Sequence, residues 1–289
     1  MLDCLLSSTN RIMFNIPRSR RPWFYPFIAS WVAISVVVGA PQSAPAASWL
    51  ELLINGAQVY QLYNVSNQEE VQLGRQINQQ LIGKQFQIYN NARVNSYVDR
   101  IGQRLAKNST RPNIPYTFQV VKDDSINAFA TTGGYVYVTT GLLQAADNEA
   151  QLAGVLAHEI GHIAERHLIE QMRETAIARG LTSAAGLDES TAVQLGVELA
   201  LRRPNSRSDE FQADARGVQT LGKAGYAQVA MISFLEKLRS QRSVPTFLST
   251  HPATSDRIAR LKKIIDKQQA NRGQGLNESK YQAQTQPLN

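Results

Sequence analysis

The chain has 289 residues and a formal net charge of +7. The first 46 residues carry four arginines against one aspartate, so only +4 belongs to the remainder. No basic-aromatic array accompanies that charge, which argues against a nucleic-acid partner and leaves mild attraction to anionic membrane surfaces.

The N-terminus reads as an export signal. Arg11, Arg18, Arg20 and Arg21 precede an apolar stretch from Trp23 to Ala40, and Ala44-Pro45-Ala46 offers a small-x-small cleavage site. Residues 1–46 are expected to be a signal peptide cut after Ala46. The alternative is an uncleaved anchor, since the run is just long enough to span although Pro26 interrupts it. Ser19 to Phe24 has a twin-arginine look, a second export route beside general secretion. Cys4 precedes the apolar run and would leave with the signal. An exported chain of about 240 residues can bury enough core to fold without a disulfide. The expected location is periplasmic, or membrane-associated on the extracytoplasmic side.

Trp49 to Val59, Gln68 to Leu81 and Asn91 to Ala106 are predicted helices. Tyr116 to Val121 alternates as a strand, and Tyr135 to Thr140 is β-branched and aromatic after a Gly133-Gly134 turn. Asn148 then caps a helix, with Gln151 placed to complete a capping-box-like pair. Leu152 to Ala157 has almost no polar side, the pattern of a helix buried on most faces.

Into that apolar helix are set His158, Glu159 and His162. Histidines four apart differ by about 40° of helical rotation, so both imidazoles leave one face, as two ligands of a single zinc must. The glutamate between them can act as general base on a water at that metal. Left without a ligand, three polar groups in so apolar a helix would be costly.

A catalytic zinc needs a third protein ligand and one open position. His167 falls about 180° round the same helix from His158 and is predicted to point away. A metzincin would require Gly and His where this chain has Glu165 and Leu168. Glu210 remains, in Ser206 to Asp214, sharing a helix face with Asp214. Glu210 can ligate while Asp214 accepts a hydrogen bond from a ligand imidazole. The expected site is one zinc per chain on His158, His162 and Glu210.

Glu170 to Gly180 and Ser190 to Leu201 look helical, an insert that is either a lid over the cleft or a fixed part of the fold. Asp256 to Lys267 reads as a basic amphipathic helix. Residues 268–289 turn polar and are expected to be a disordered tail. No helical repeat of about 34 residues follows, so no TPR domain is expected. One catalytic domain over residues 47–267, α+β and mostly helical with a small sheet, is the simplest organisation.

These stretches together resemble the HtpX-like and CAAX-prenyl-protease-like zinc endopeptidases, with their periplasmic BepA- and LoiP-type members. The resemblance runs from about Ser66 to Ile264. It rests on Glu70 to Gly74, Tyr97 to Gly102, Asn127 to Ala130, Gly133 to Leu142, Glu149 to His167, Arg207 to Asp214, and His251-Pro252 followed by Arg257. It implies a gluzincin-type endopeptidase of envelope quality control, acting on exported or membrane-associated polypeptides, with the membrane surface or envelope assembly machinery as partners.

Beside the metal, Asn127, Ala128, Phe129 and Ala130 with the strand after Gly134 are expected to form a sheet edge that pairs with extended substrate. By its match to the family's His-Pro motif, His251 either stabilises the oxyanion or closes the open zinc position. Two rival functions stand beside the endopeptidase. One is a chaperone-like binder whose zinc merely holds the fold, the other a small-molecule zinc hydrolase. A base at Glu159 favours hydrolysis over the first, and the proposed edge strand disfavours the second.

Overall fold

The computed structural model describes residues 59–181, 186–202, 204–265 and 270–288. The export signal and most of the predicted helix Trp49 to Val59 lie outside these residues; Val59 itself opens a short strand, β1 (Val59–Tyr60). The architecture is α+β and mostly helical, with a small sheet held between two apolar clusters.

Ser66 starts α1 (Asn67–Lys84) with a capping box to Glu69, and Leu73, Ile77 and Leu81 form its buried stripe at helical spacing. Asn91 caps α2 (Ala92–Lys107), whose buried face is Val94, Tyr97, Val98, Ile101 and Leu105. Three strands follow: β2 (Thr117–Val121), β3 (Ala128–Ala130) and β4 (Tyr135–Thr139). Their order is β2-β4-β3, with β2 parallel and β3 antiparallel to β4.

The sheet's two-residue period divides the core. Val136, Val138 and Ala128 turn to the larger cluster, while Tyr137 and Phe129 turn to the smaller one and stack at 4.6 Å. β3 is an edge strand, as anticipated, and it packs against the histidine-bearing helix.

After α3 (Thr140–Ala145), that helix is α4 (Glu149–Ala164), capped by Asn148 and buried from Ala150 to Ile163. α5 (His167–Ala178), β5 (Leu187–Asp188) and α6 (Glu189–Arg202) form the insert. Met172, Ala176, Leu195 and Leu199 are buried with α1 residues, so the insert is packed into the domain. β5 pairs antiparallel with β1.

α7 (Arg207–Lys223) lies directly on α4. Two glycines permit that approach. A Cβ on Gly161 would stand 2.6 Å from the Ala213 carbonyl oxygen, and one on Gly217 would stand 3.1 Å from the His158 nitrogen. α8 (Val229–Arg239), α9 (Thr246–Thr250) and α10 (Thr254–Ile264) close the far side.

The expectation of a disordered tail is corrected within the described residues. Asn277 caps α11 (Glu278–Thr285), and Tyr281 is 2% exposed, its hydroxyl donating to the Leu143 carbonyl at 2.7 Å. One aromatic anchor in a polar sequence is too weak a pattern to read, yet it suffices where a partner surface exists. Among the described residues no helix is long and apolar enough to cross a membrane.

Candidate metal centre

α4 presents His158 and His162 on one face, with their Nε2 atoms 3.0 Å apart. α7 brings Glu210 against both: Oε2 is 3.4 Å from His158 Nε2 and Oε1 is 3.4 Å from His162 Nε2. From beyond α9, His251 joins them, and one donor atom from each of the four residues lies within 4.8 Å of the others. All four are buried.

The residues fit a dication. Both Glu210 oxygens are buried without a hydrogen bond, and so is Glu159 Oε1. Of these, Glu210 Oε2 is ion-paired with Arg257 Nη1 at 2.7 Å, which leaves Glu210 Oε1 and Glu159 Oε1 without such compensation. Orphaned carboxylate oxygens facing imidazole nitrogens are the donor set zinc takes.

The other ring nitrogens are also held. His158 Nδ1 is 2.9 Å from Asp214 Oδ1. Burial and the Arg257 charge oppose protonation of His158, yet hydrogen bonds to Asp214 and Glu210 outweigh them and lift its pKa to about 9. Burial above all pushes His162 down to about 4 and His251 down to about 3. Two of the imidazoles are thus already neutral, the form that ligates, and at His158 a cation competes with a proton. Burial also opposes the charge of Asp214, but Arg257 holds its carboxyl down at about 2.

Glu159 lies toward β3 and His251. Its Oε1 is 3.4 Å from His251 Nε2. Burial raises its pKa to about 7, against the lowering pull of the His158 charge and of the Ala130 backbone amide. Phe129, Ala130, Thr131, Glu159, His162 and His251 border one cleft, so the edge strand and the cluster open onto the same space. Ala128 is fully buried and Gly134 sits in a left-handed turn at φ 99°, away from this lining. Asn127 stands at the strand's entry, its amide hydrogen-bonded to the Thr139 hydroxyl.

The expectation that His167 points away is corrected. α4 ends at Ala164, Arg166 takes a left-handed φ of 60°, and a new helix begins at His167. That break returns the ring to the site, with His167 Nδ1 at 2.8 Å from His162 Nδ1. The rotation argument assumed one continuous helix. His167 nevertheless lies outside the four-residue cluster.

Two further groups escaped a role in the sequence reading. Arg257, 1% exposed, donates through Nε and Nη2 to Asp214 at 2.8 and 2.7 Å, and through Nη1 to the His251 carbonyl at 3.3 Å. Its signal was a charge on the apolar face of α10, four before Leu261. Glu70, fully buried in α1, pairs with Arg111 and Arg166, each at 2.8 Å, and Arg111 also donates to the Ile163 carbonyl at the end of α4. That triad ties the metal helix to α1. Its members lie far apart in sequence and carry no pattern of their own.

Residues 92–265 match the model of peptidase family M48. Among curated proteins the chain is 36% identical to the putative beta-barrel assembly-enhancing protease of Vibrio cholerae, over 59% of this chain and 39% of that one. It is 32% identical to the beta-barrel assembly-enhancing protease of Escherichia coli, over 66% of this chain and 42% of that one. It is 28% identical to the mitochondrial metalloendopeptidase OMA1 of Schizosaccharomyces pombe, over 61% and 54%. The chain thus spans less than two thirds of the length of each of these relatives. With more than half of its residues matched, the chain belongs to peptidase family M48.

Proposed function

We propose that the protein is a zinc-dependent endopeptidase that hydrolyses peptide bonds in exported or membrane-associated polypeptides. The observation that carries this reading is the buried Glu210 carboxylate, its Oε1 without a hydrogen bond, grouped with His158 and His162, with Glu159 beside them on the cleft side. His158, His162 and Glu210 are the ligands in this reading, and Asp214 orients His158. When bound, zinc supplies a Lewis acid that polarises the scissile carbonyl and activates a water.

Glu159 takes the proton of the attacking water as a carbon–oxygen bond forms, then delivers it to the amine as the carbon–nitrogen bond breaks. A pKa near 7 suits a group that must both accept and return a proton near neutral pH. Substrate lies extended along β3, pairing main chain to main chain with Phe129 and Ala130, the strand residues that line the cleft. The relatives named for enhancing beta-barrel assembly support envelope proteins as substrates and an extracytoplasmic location.

His251 makes the cluster four-fold. Of its two expected roles this geometry favours closure of the open position, so His251 must leave before substrate enters. The test of the function is casein cleavage by wild type and Glu159→Gln, each with and without chelator. Cleavage should vanish in the variant and in the chelated wild type, while the variant keeps about one zinc per chain. A variant that cleaves normally, or one that loses its metal, would sink the assignment.

A further inference from the structure

We infer that His167 is a positioning residue that fixes the tautomer and orientation of His162, with Gln212 setting the direction of the proton chain. The inference rests on the reading of His162 as a metal ligand. Two ring nitrogens 2.8 Å apart, His162 Nδ1 and His167 Nδ1, share one proton, so one ring donates and the other accepts. Both rings are buried, at 7% and 4% exposure, and stand edge-on at 71°.

On its far side His167 Nε2 meets Gln212 Oε1 at 3.2 Å, while the Gln212 amide nitrogen faces the Ser208 hydroxyl at 3.4 Å. An amide oxygen only accepts, so His167 carries its proton on Nε2. In a singly protonated ring Nδ1 is then a lone pair, which accepts the Nδ1–H of His162. His162 Nε2 is left unprotonated and aimed at His158 Nε2 and Glu210. The reversed chain, with the Gln212 nitrogen donating, would put a proton on His162 Nε2 and abolish ligation. One orientation of three side chains is therefore compatible with a metal.

The two ligand histidines are thus held differently. His158 leans on a carboxylate, Asp214, whereas His162 leans on a second imidazole, His167.

The test is zinc affinity by chelator competition, with the cobalt-substituted protein's visible spectrum, on the full chain and its His167 variants. His167→Ala should weaken zinc binding by about 10–100-fold and shift the cobalt bands. His167→Gln, whose amide oxygen can accept from His162 Nδ1, should recover most of the affinity. Melting of the chelated proteins separates loss of packing from loss of orientation, since only the former lowers the metal-free melting temperature. Equal affinity and identical spectra in wild type and His167→Ala would overturn the inference alone. So would a Gln variant as weak as the Ala variant with unchanged metal-free melting. A wild-type chain that binds no zinc or cobalt would overturn the metal-site reading itself.

Discussion

Arg257 and His251 lie six residues apart and both border the candidate site. Arg257 is the countercharge for two carboxylates that α7 buries, and removing one member of a buried ion pair leaves its partner uncompensated. Arg257→Met should therefore destabilise the metal-free protein by about 3–5 kcal/mol, measured by denaturant unfolding in chelator. His251 sits within ligating distance of the same centre, and its backbone carbonyl is held by the same guanidinium. His251→Ala is expected to raise peptide turnover several-fold with zinc content unchanged. A fall in turnover with zinc retained would instead make His251 an oxyanion donor. The spacing of His158, Glu159 and His162 was legible because a helix converts sequence distance directly into direction. The partners of these residues were not legible, because Asp214–Arg257 and His162–His167 depend on where helices break and meet.

At the scale of elements, the site is a contact between α4 and α7, and its quality is set by how closely they approach. Gly161 supplies no donor atom; it makes room for the backbone of Ala213. Gly161→Ala should cost about 1–3 kcal/mol as an overpacked contact. It should also weaken zinc binding, because pushing α7 outward carries Glu210 away from His158 and His162. Thermal melting with and without chelator separates the two effects. Gly217→Ala meets a looser gap of 3.1 Å and should cost less in both. The pentapeptide was read for its histidines and glutamate, while the glycine's role needed the neighbouring helix to be in place. The break at Arg166 belongs to this scale too: a left-handed residue ends α4 where helical periodicity alone would have continued it.

For the whole molecule, the sheet separates a larger cluster around α2, α4 and α8 from a smaller one around α1, α5 and α6. The metal centre sits where α4 and α7 meet beside the free edge of β3. The C-terminal segment completes the larger cluster, as Tyr281 packs near Tyr97 at 6.2 Å between ring centroids. Tyr281→Ala should lower stability by about 3–5 kcal/mol, as truncation of a buried aromatic does, while leaving zinc stoichiometry unchanged. Thermal melting and metal analysis of the folded variant check both parts.

The sequence by itself determined that a buried helix offers two imidazoles and a carboxylate on usable faces, that a later helix supplies Glu210 with Asp214, and that short alternating strands lie before them. Each follows from local periodicity and from the cost of burying polar groups without partners. Only the tertiary structure showed what surrounds those groups: Arg257 between two acids, His167 behind His162, and a tail anchored through Tyr281, with His251 brought within reach of the same cluster. These are contacts between residues distant in sequence or across a helix break. Their energies depend on distance and burial, which no spacing along the chain encodes.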